Sequence, residues 1–345
     1  MNNINIQNGA SVTKESALAK LRSVDKPIAI WGCGLLGKHI LELLLENGLA
    51  PDCFLDRQLK FQGSLKEDKY PILSPASLIE AKSHCIIVAS LRYADEMTET
   101  LRSNNLQEHV DFYSYNDFFK QNEGYCPICE RETIFIEYRT WLRDAYLCLN
   151  CGSVPRQRSW ARTLSRFVPN WRELIVHESS PNDISINFLS KRCKQYTYSK
   201  LFPDVSLGSY HNGIRCENLE SLTFQDSSLD VFITQDVMEH VMHPHIAFRE
   251  IERTLKPGGY HVFTVPIYER NVKSIQKARM VAAGGKNIEY LDEPEYHGDS
   301  LVTYHHGLDI IEKIGLGMLT TIILEKDRHF GLDGEFMHVF ACKKL

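Results

Sequence analysis

Apolar and polar positions along this chain fall into two series of strand-then-helix units. The first series opens with the apolar run Pro27-Ile-Ala-Ile-Trp31, which meets Gly32-Cys-Gly34-Leu-Leu-Gly37 and then an amphipathic helix over Leu35 to Asn47. A second strand ends in Cys53-Phe-Leu-Asp56, a third covers Cys85 to Ser90, and a fourth lies near Val110 to Tyr113. Ahead of them, residues 1–11 read as a loose tail and Ser16 to Leu21 as a short helix. The second series starts with a strand over Leu174 to Glu178, followed by one over Gln195 to Ser199. Val231, Phe232 and Ile233 form a buried run of the kind found in parallel sheets. Phe248, Ile251 and Leu255 keep a helical period until Pro257-Gly258-Gly259 stops it, and Tyr260 to Val265 alternates as a strand. Beyond it the pattern predicts a basic helical stretch over Tyr268 to Ala283, a glycine turn at Gly284-Gly285, and a polar aromatic loop through Glu293 to Gly307. Two strands, Thr320 to Leu324 and Phe336 to Cys342, should close the chain. The fold class is therefore α/β, with ligands expected at the carboxyl ends of the strands.

Between the two series stands Cys126-Pro-Ile-Cys129, then eighteen residues, then Cys148-Leu-Asn-Cys151. Paired Cys-x-x-Cys turns at this spacing predict a four-thiolate structural zinc site, since each turn converges two sulfurs. A soft ligand set without histidine or carboxylate favours a structural ion. The expected organisation is a Rossmann-like domain over 1–120, a zinc ribbon over 121–156 and a catalytic domain over 157–345.

Composition narrows the partners. A net charge of −5 gives no electrostatic footprint for nucleic acid. No apolar run approaches the roughly 18 residues that cross a bilayer, and the first 25 residues lack an apolar signal core. Ten cysteines, six outside any paired motif, suit a reducing cytoplasm better than a disulfide framework. A small-molecule partner is expected; the sequence leaves the oligomeric state open.

Candidate chemistry sits at both glycine-bearing and acidic turns. Gly32, Gly34 and Gly37 form a Gly-x-Gly-x-x-Gly turn, with Asp56 lying 24 positions after Gly32. Such a turn brings backbone close to a phosphate, and Asp56 could hold a ribose diol of a nucleotide or dinucleotide. The same glycines could equally serve only a tight strand–helix turn. In the second series Asp236, Glu239 and His240 are spaced to share one helical face. They are candidates for general acid–base work or for holding a divalent ion.

Leu229-Asp-Val, Val237-Met-Glu-His240 and Arg253-Thr-Leu-Lys-Pro-Gly-Gly259 together resemble the class I methyltransferases that use S-adenosylmethionine. The Cys-x-x-Cys-Gly-Ser join to Arg156 and Arg158 resembles a type 11-like subgroup with a zinc ribbon before the catalytic fold, and the resemblance implies a seven-stranded sheet. It places the methionine end of the cofactor at His177, Glu178, Ser179 and Ser180, where the wider family has an acidic residue and glycines. It places the ribose near Ser199, where active relatives carry Asp or Glu, the adenine at Glu217 and Asn218, and Gln235 at the cradle. A hydroxyl acceptor needs a base; His240 and His297 are favoured over His305 and His306. The first series resembles nucleotide-binding modules attached to bacterial sugar-modifying enzymes, which suggests a sugar or sugar-nucleotide hydroxyl as acceptor in glycan biosynthesis. The alternatives are an NAD(P)-dependent oxidoreductase working through the glycine turn, and a non-catalytic nucleotide-binding protein.

Overall fold

The computed structural model describes residues 13–58, 61–67, 69–90, 92–268, 272–281 and 288–345. The expected tail and the turn at Gly284-Gly285 lie outside them. The chain divides into two units, residues 1–122 with 134–140, and residues 123–133 with 141–345. Among the described residues no helix is long and apolar enough to cross a membrane.

In the first unit, α1 (Lys14–Ser23) leads into β1 (Ile28–Trp31), α2 (Leu35–Glu46), β2 (Cys53–Leu55), β3 (Leu65–Lys66), β4 (Tyr70–Leu73), α3 (Pro75–Ala81), β5 (Cys85–Val88), α4 (Ala94–Ser103) and β6 (Phe112–Ser114). The sheet order is β3-β4-β2-β1-β5-β6, parallel except for the β3–β4 pair. Every residue of β1 and β5 is buried, as uninterrupted apolar runs in a sheet covered on both faces should be. A Cβ on Gly37 would lie 1.9 Å from the Gly32 carbonyl oxygen, and one on Gly32 (φ +135°) 2.3 Å from that of Ala89. These two glycines are thus required by the packing of helix on strand.

β7 (Lys120–Cys126) and β8 (Arg131–Glu137) each fall partly in one unit and partly in the other, whereas α5 (Leu142–Ala145) and β9 (Tyr146–Cys148) belong to the second; β7 and β9 each end on a cysteine. Then follow α6 (Pro155–Phe167), β10 (Ile175–Ser179), α7 (Asp183–Ser190), β11 (Gln195–Lys200), β12 (Tyr210–His211), β13 (Ile214–Cys216), β14 (Leu229–Gln235), α8 (Pro244–Thr254) and β15 (Leu255–Thr264). The main sheet has the order β12-β13-β11-β10-β14-β15-β23-β22, with β22 (Met318–Ile323) and β23 (Val339–Lys344) as its antiparallel close. It has eight strands rather than the expected seven. Asn212 and Gly213 both take positive φ (50° and 77°), the geometry of a two-residue hairpin turn, and fold Tyr210 back against Arg215. Phe232, Phe248, Ile251, Phe263 and Phe340 pack on one side of this sheet.

The stretch expected as a basic helix holds no helix among its described residues and forms two short strands instead. β16 (Ile275–Gln276) pairs with β21 (Tyr304–His305), β17 (Ala278–Met280) with β18 (Ile288–Tyr290), and β19 (Tyr296–His297) with β20 (Ser300–Leu301), all antiparallel. Partner strands later in the chain satisfy this backbone, as where the Lys277 N–H donates to the Thr303 carbonyl at 2.7 Å. The expected polar loop through 293–307 is likewise built of short strands.

Arg158 is fully buried in this unit. Its guanidinium donates to the carbonyls of Ser153, Tyr146 (2.7 Å) and Gly331 (2.6 Å), and burial pulls its pKa down to about 10.

Candidate active site

The carboxyl ends of β10, β11, β13 and β14 open on one cavity of about 1350 Å³. Parallel strands bring their C-terminal turns to a single edge, so residues far apart in sequence meet there. Ser179 and Ser180 come from β10, Lys200 from β11, Glu217 and Asn218 follow β13, and Gln235 ends β14. Ser180 holds a left-handed φ of 53°. A glycine would adopt that conformation freely; serine does so at a cost of roughly 1 kcal/mol.

Gln235 is buried, and its Nε2 donates to the Glu178 carboxylate at 2.8 Å. Its Oε1 is buried without a partner. Glu178 lies behind it, fully buried, taking a second bond from the Tyr196 hydroxyl at 2.7 Å. Burial raises the Glu178 pKa to about 7, against the pull of those hydrogen bonds.

The acidic turn is not the single helical face that its spacing suggested. Asp236 has φ 52°, and only Met238–His240 form a 3-10 turn, so Asp236 lies outside that turn. Arg143 Nη2 lies 2.8 Å from both Asp236 oxygens, Arg156 Nη1 lies 3.2 Å away, and the Thr264 hydroxyl donates at 2.9 Å. Burial alone would raise this carboxyl, but the two guanidinium groups outweigh it and hold it below the usual carboxylate range. With its oxygens so held, Asp236 clamps two arginines at the cavity wall.

Glu239 lines the same cavity, and neither of its buried carboxylate oxygens has a partner. Burial, then the neighbouring Asp236 charge, push its pKa well above the usual value. His240 pairs its Nδ1 with the Leu301 carbonyl at 2.8 Å and carries its Nε2 4.0 Å from Glu239 Oε1. Burial lowers the His240 pKa. His297, on the β19–β20 hairpin, stands edge-on to His240 with ring centroids 5.4 Å apart. One ligand atom from each of Glu239, His240 and His297 falls within 4.8 Å of the others.

Several expected positions face elsewhere. Strand alternation turns His177 away from Glu178. Its ring bonds Thr197 (2.8 Å) and Ser199 (3.0 Å) and packs on Phe224 and Phe232, so neither His177 nor Ser199 borders the cavity. At the end of β11 that edge offers Lys200, one residue beyond the Ser199 position expected for the ribose. Glu217 borders the cavity, yet its oxygens are taken by Arg215 Nε (2.7 Å) and the Thr223 N–H (2.9 Å). Asn218, beside it, accepts from the Glu220 N–H at 2.9 Å. His305 pairs with Glu295 at 2.6 Å, and His306 is buried against the Met238 carbonyl. Trp141, Arg143, Tyr268 and Phe336 also line the cavity, and sequence reasoning missed them. Phe336 packs against Trp141 (5.7 Å) and Tyr268 (4.9 Å), residues that neither motif nor spacing links.

The four cysteines converge. Cys126 and Cys151 sulfurs lie 3.8 Å apart, as do those of Cys129 and Cys148, and all four are unbridged. In the first unit, Gly34 caps α2, and a Cβ there would meet nothing within 4 Å. Asp56 turns its Oδ1 to the Gln58 N–H at 2.8 Å. A smaller cavity of about 300 Å³ in that unit is lined by Trp31, Arg57, Gln62 and Ser74 among others, and not by the three glycines.

Residues 181–263 match a family described as "Methyltransferase domain". No curated protein matches the chain. Among solved structures, an S-adenosylmethionine dependent methyltransferase from Mesorhizobium loti is similar at 14% identity and a TM-score of 0.37, over 54% of this chain and 98% of that one. A second, from Methanosarcina mazei, is similar at 15% identity and a TM-score of 0.30, over 52% and 96%.

Proposed function

We infer, from the match of residues 181–263 to a methyltransferase-domain family, that this chain is a class I S-adenosylmethionine-dependent methyltransferase and that it methylates a hydroxyl of a small polar acceptor, a sugar or sugar nucleotide. One observation carries this reading: the unpartnered Gln235 oxygen and the Glu239–His240–His297 cluster border the same cavity.

The residues present fit the donor. A buried amide oxygen without a hydrogen-bond donor suits an ammonium group, and Ser179 and Ser180 stand where its carboxylate end would lie. Lys200 can donate to ribose oxygens in place of the usual carboxylate accepting from them. When bound, S-adenosylmethionine supplies a methyl carbon on a cationic sulfur; the acceptor oxygen takes that carbon while the C–S electron pair stays on sulfur. The chain must align the acceptor oxygen and see its proton removed. The Glu239–His240–His297 cluster is where that proton leaves. Trp141, Phe336 and Tyr268 offer an aromatic face for the C–H side of a sugar ring, and Arg143 and Arg156 are cations beside it.

The cysteine cluster is read as a structural zinc site. Four thiolates at about 2.3 Å from one tetrahedral ion stand roughly 3.8 Å apart, which is the spacing of both measured sulfur pairs. The first unit is read as a Rossmann-like nucleotide-binding module. Gly34, with open space at its Cβ, is the glycine of the Gly32–Gly37 turn that packing does not explain. Ten unbridged cysteines support a cytoplasmic setting.

Isothermal titration of the zinc-loaded full-length protein with S-adenosylhomocysteine tests the core of this reading. One site per chain is expected; no heat at millimolar ligand overturns it.

A further inference from the structure

We propose that Glu239, His240 and His297 together bind a divalent first-row transition-metal ion in the cavity. The ion's part in catalysis rests on the methyltransferase reading, but its binding does not. Side chains from the turn after β14 and from the β19–β20 hairpin bring three ligand atoms within 4.8 Å of one another.

Glu239 gives the first argument. It is only 2% exposed, and both of its oxygens are buried without a hydrogen-bond partner. A buried carboxyl with no donor is costly to leave unmade, and a cation between it and the cavity removes that cost. His240 gives the second. Its Nδ1 is 2.8 Å from the Leu301 carbonyl, so Nδ1–H donates there and the lone pair rests on Nε2. That Nε2 faces Glu239 at 4.0 Å. An imidazole whose outer nitrogen is held by a backbone carbonyl is oriented as a metal ligand. His297 gives the third: its ring is perpendicular to that of His240, at 89°, with the Glu295 carboxylate 3.5 Å from its Nε2.

Asp236 does not belong to the set, because Arg143 and Arg156 hold its oxygens. Ligand atoms on one ion with bonds of about 2.1 Å lie roughly 3 to 3.5 Å apart. His240 Nε2 stands 4.0 Å from Glu239 Oε1, and His297 sits on an exposed hairpin, so the set closes on an ion with a small side-chain shift. Two imidazoles and one carboxylate favour manganese, iron, cobalt or zinc over calcium or magnesium. The positions left open would take the acceptor's oxygen and lower its pKa, so that its proton passes to solvent water.

The test titrates Mn2+ into full-length protein holding one zinc per chain, at the cysteine cluster only, and follows loss of the free-ion signal by electron paramagnetic resonance. Manganese has little affinity for thiolates, so the cysteine cluster does not compete. One Mn2+ per chain is expected. His297→Ala and Glu239→Gln should each weaken binding tenfold or more, and His297→Asp, which keeps an oxygen ligand, should restore part of it. Circular dichroism checks that each variant is folded. No Mn2+ uptake by a protein that binds S-adenosylhomocysteine overturns the metal site and leaves the donor reading standing. Uptake unchanged in His297→Ala overturns this ligand set. Uptake without S-adenosylhomocysteine binding supports the site and overturns the donor reading.

Discussion

Arg143 sets one guanidinium nitrogen 2.8 Å from both carboxylate oxygens of Asp236, across 93 residues of sequence. The pair is mostly shielded from water, at 8% and 17% side-chain exposure. Removing one partner of a shielded pair strands the other's charge, at about 3 kcal/mol. Asp236→Asn should therefore lower unfolding stability by roughly that amount in urea denaturation. A loss below about 1 kcal/mol would mean the clamp is solvated in solution.

Gln235 is held at one end only, by Glu178. Gln235→Ala should keep the fold and weaken S-adenosylhomocysteine binding about tenfold, the effect of about one charge-assisted hydrogen bond. Titration calorimetry on both proteins measures it; equal affinity would place the ammonium group elsewhere.

Glu178 makes stability depend on pH. Its folded pKa is raised to about 7 by burial, above the ordinary value of 4.5. The stability tied to its neutral form is fully present below about pH 4.5 and is lost as pH rises towards 7. Glu178→Gln lacks this loss. Between pH 4.5 and 7 the variant should gain on the parent by up to about 3 kcal/mol. Parallel unfolding curves across that range would show Glu178 to be solvated.

The turn glycines separate packing from binding. Gly37→Ala forces a Cβ to within 1.9 Å of the Gly32 carbonyl oxygen and should unfold the first unit or shift its β1–α2 turn. Gly34→Ala meets no atom within 4 Å, so its melting temperature should match the parent. If the turn binds a phosphate, Gly34→Ala should lose nucleotide affinity in a fluorescence titration.

Metal analysis of purified protein should find one zinc per chain from the Cys126, Cys129, Cys148 and Cys151 cluster. Stripping it with a chelator should lower the melting temperature, since such an ion contributes folding energy to its ribbon. A metal-free chain with an unchanged melting temperature would overturn the zinc assignment.

What the sequence makes visible is what is local. The cysteine pairs, the glycine turn and the edge-forming Asn212-Gly213 hairpin are written in neighbouring residues. The role of Asp236 was hidden because two facts decide it from outside its own turn: a left-handed φ and an arginine 93 positions away. His177 and Ser199 were misplaced for a different reason. Motif alignment gives the position along a strand but not the face, and here the two residues bond each other away from the cavity. The stretch 272–281 alternates weakly enough to fit either period, and its pairing with residues beyond 287 decides the outcome.

Arg158 has a bearing on how this protein can be cut. Its buried head is satisfied by main-chain oxygens of Ser153, Tyr146 and Gly331, which no side-chain exchange nearby can replace. A fragment begun at residue 157 to isolate the sheet would inherit a cation stripped of two of those three carbonyls. The cysteine-bearing segment and the loop at Gly331 have to be inherited, expressed and engineered as one block.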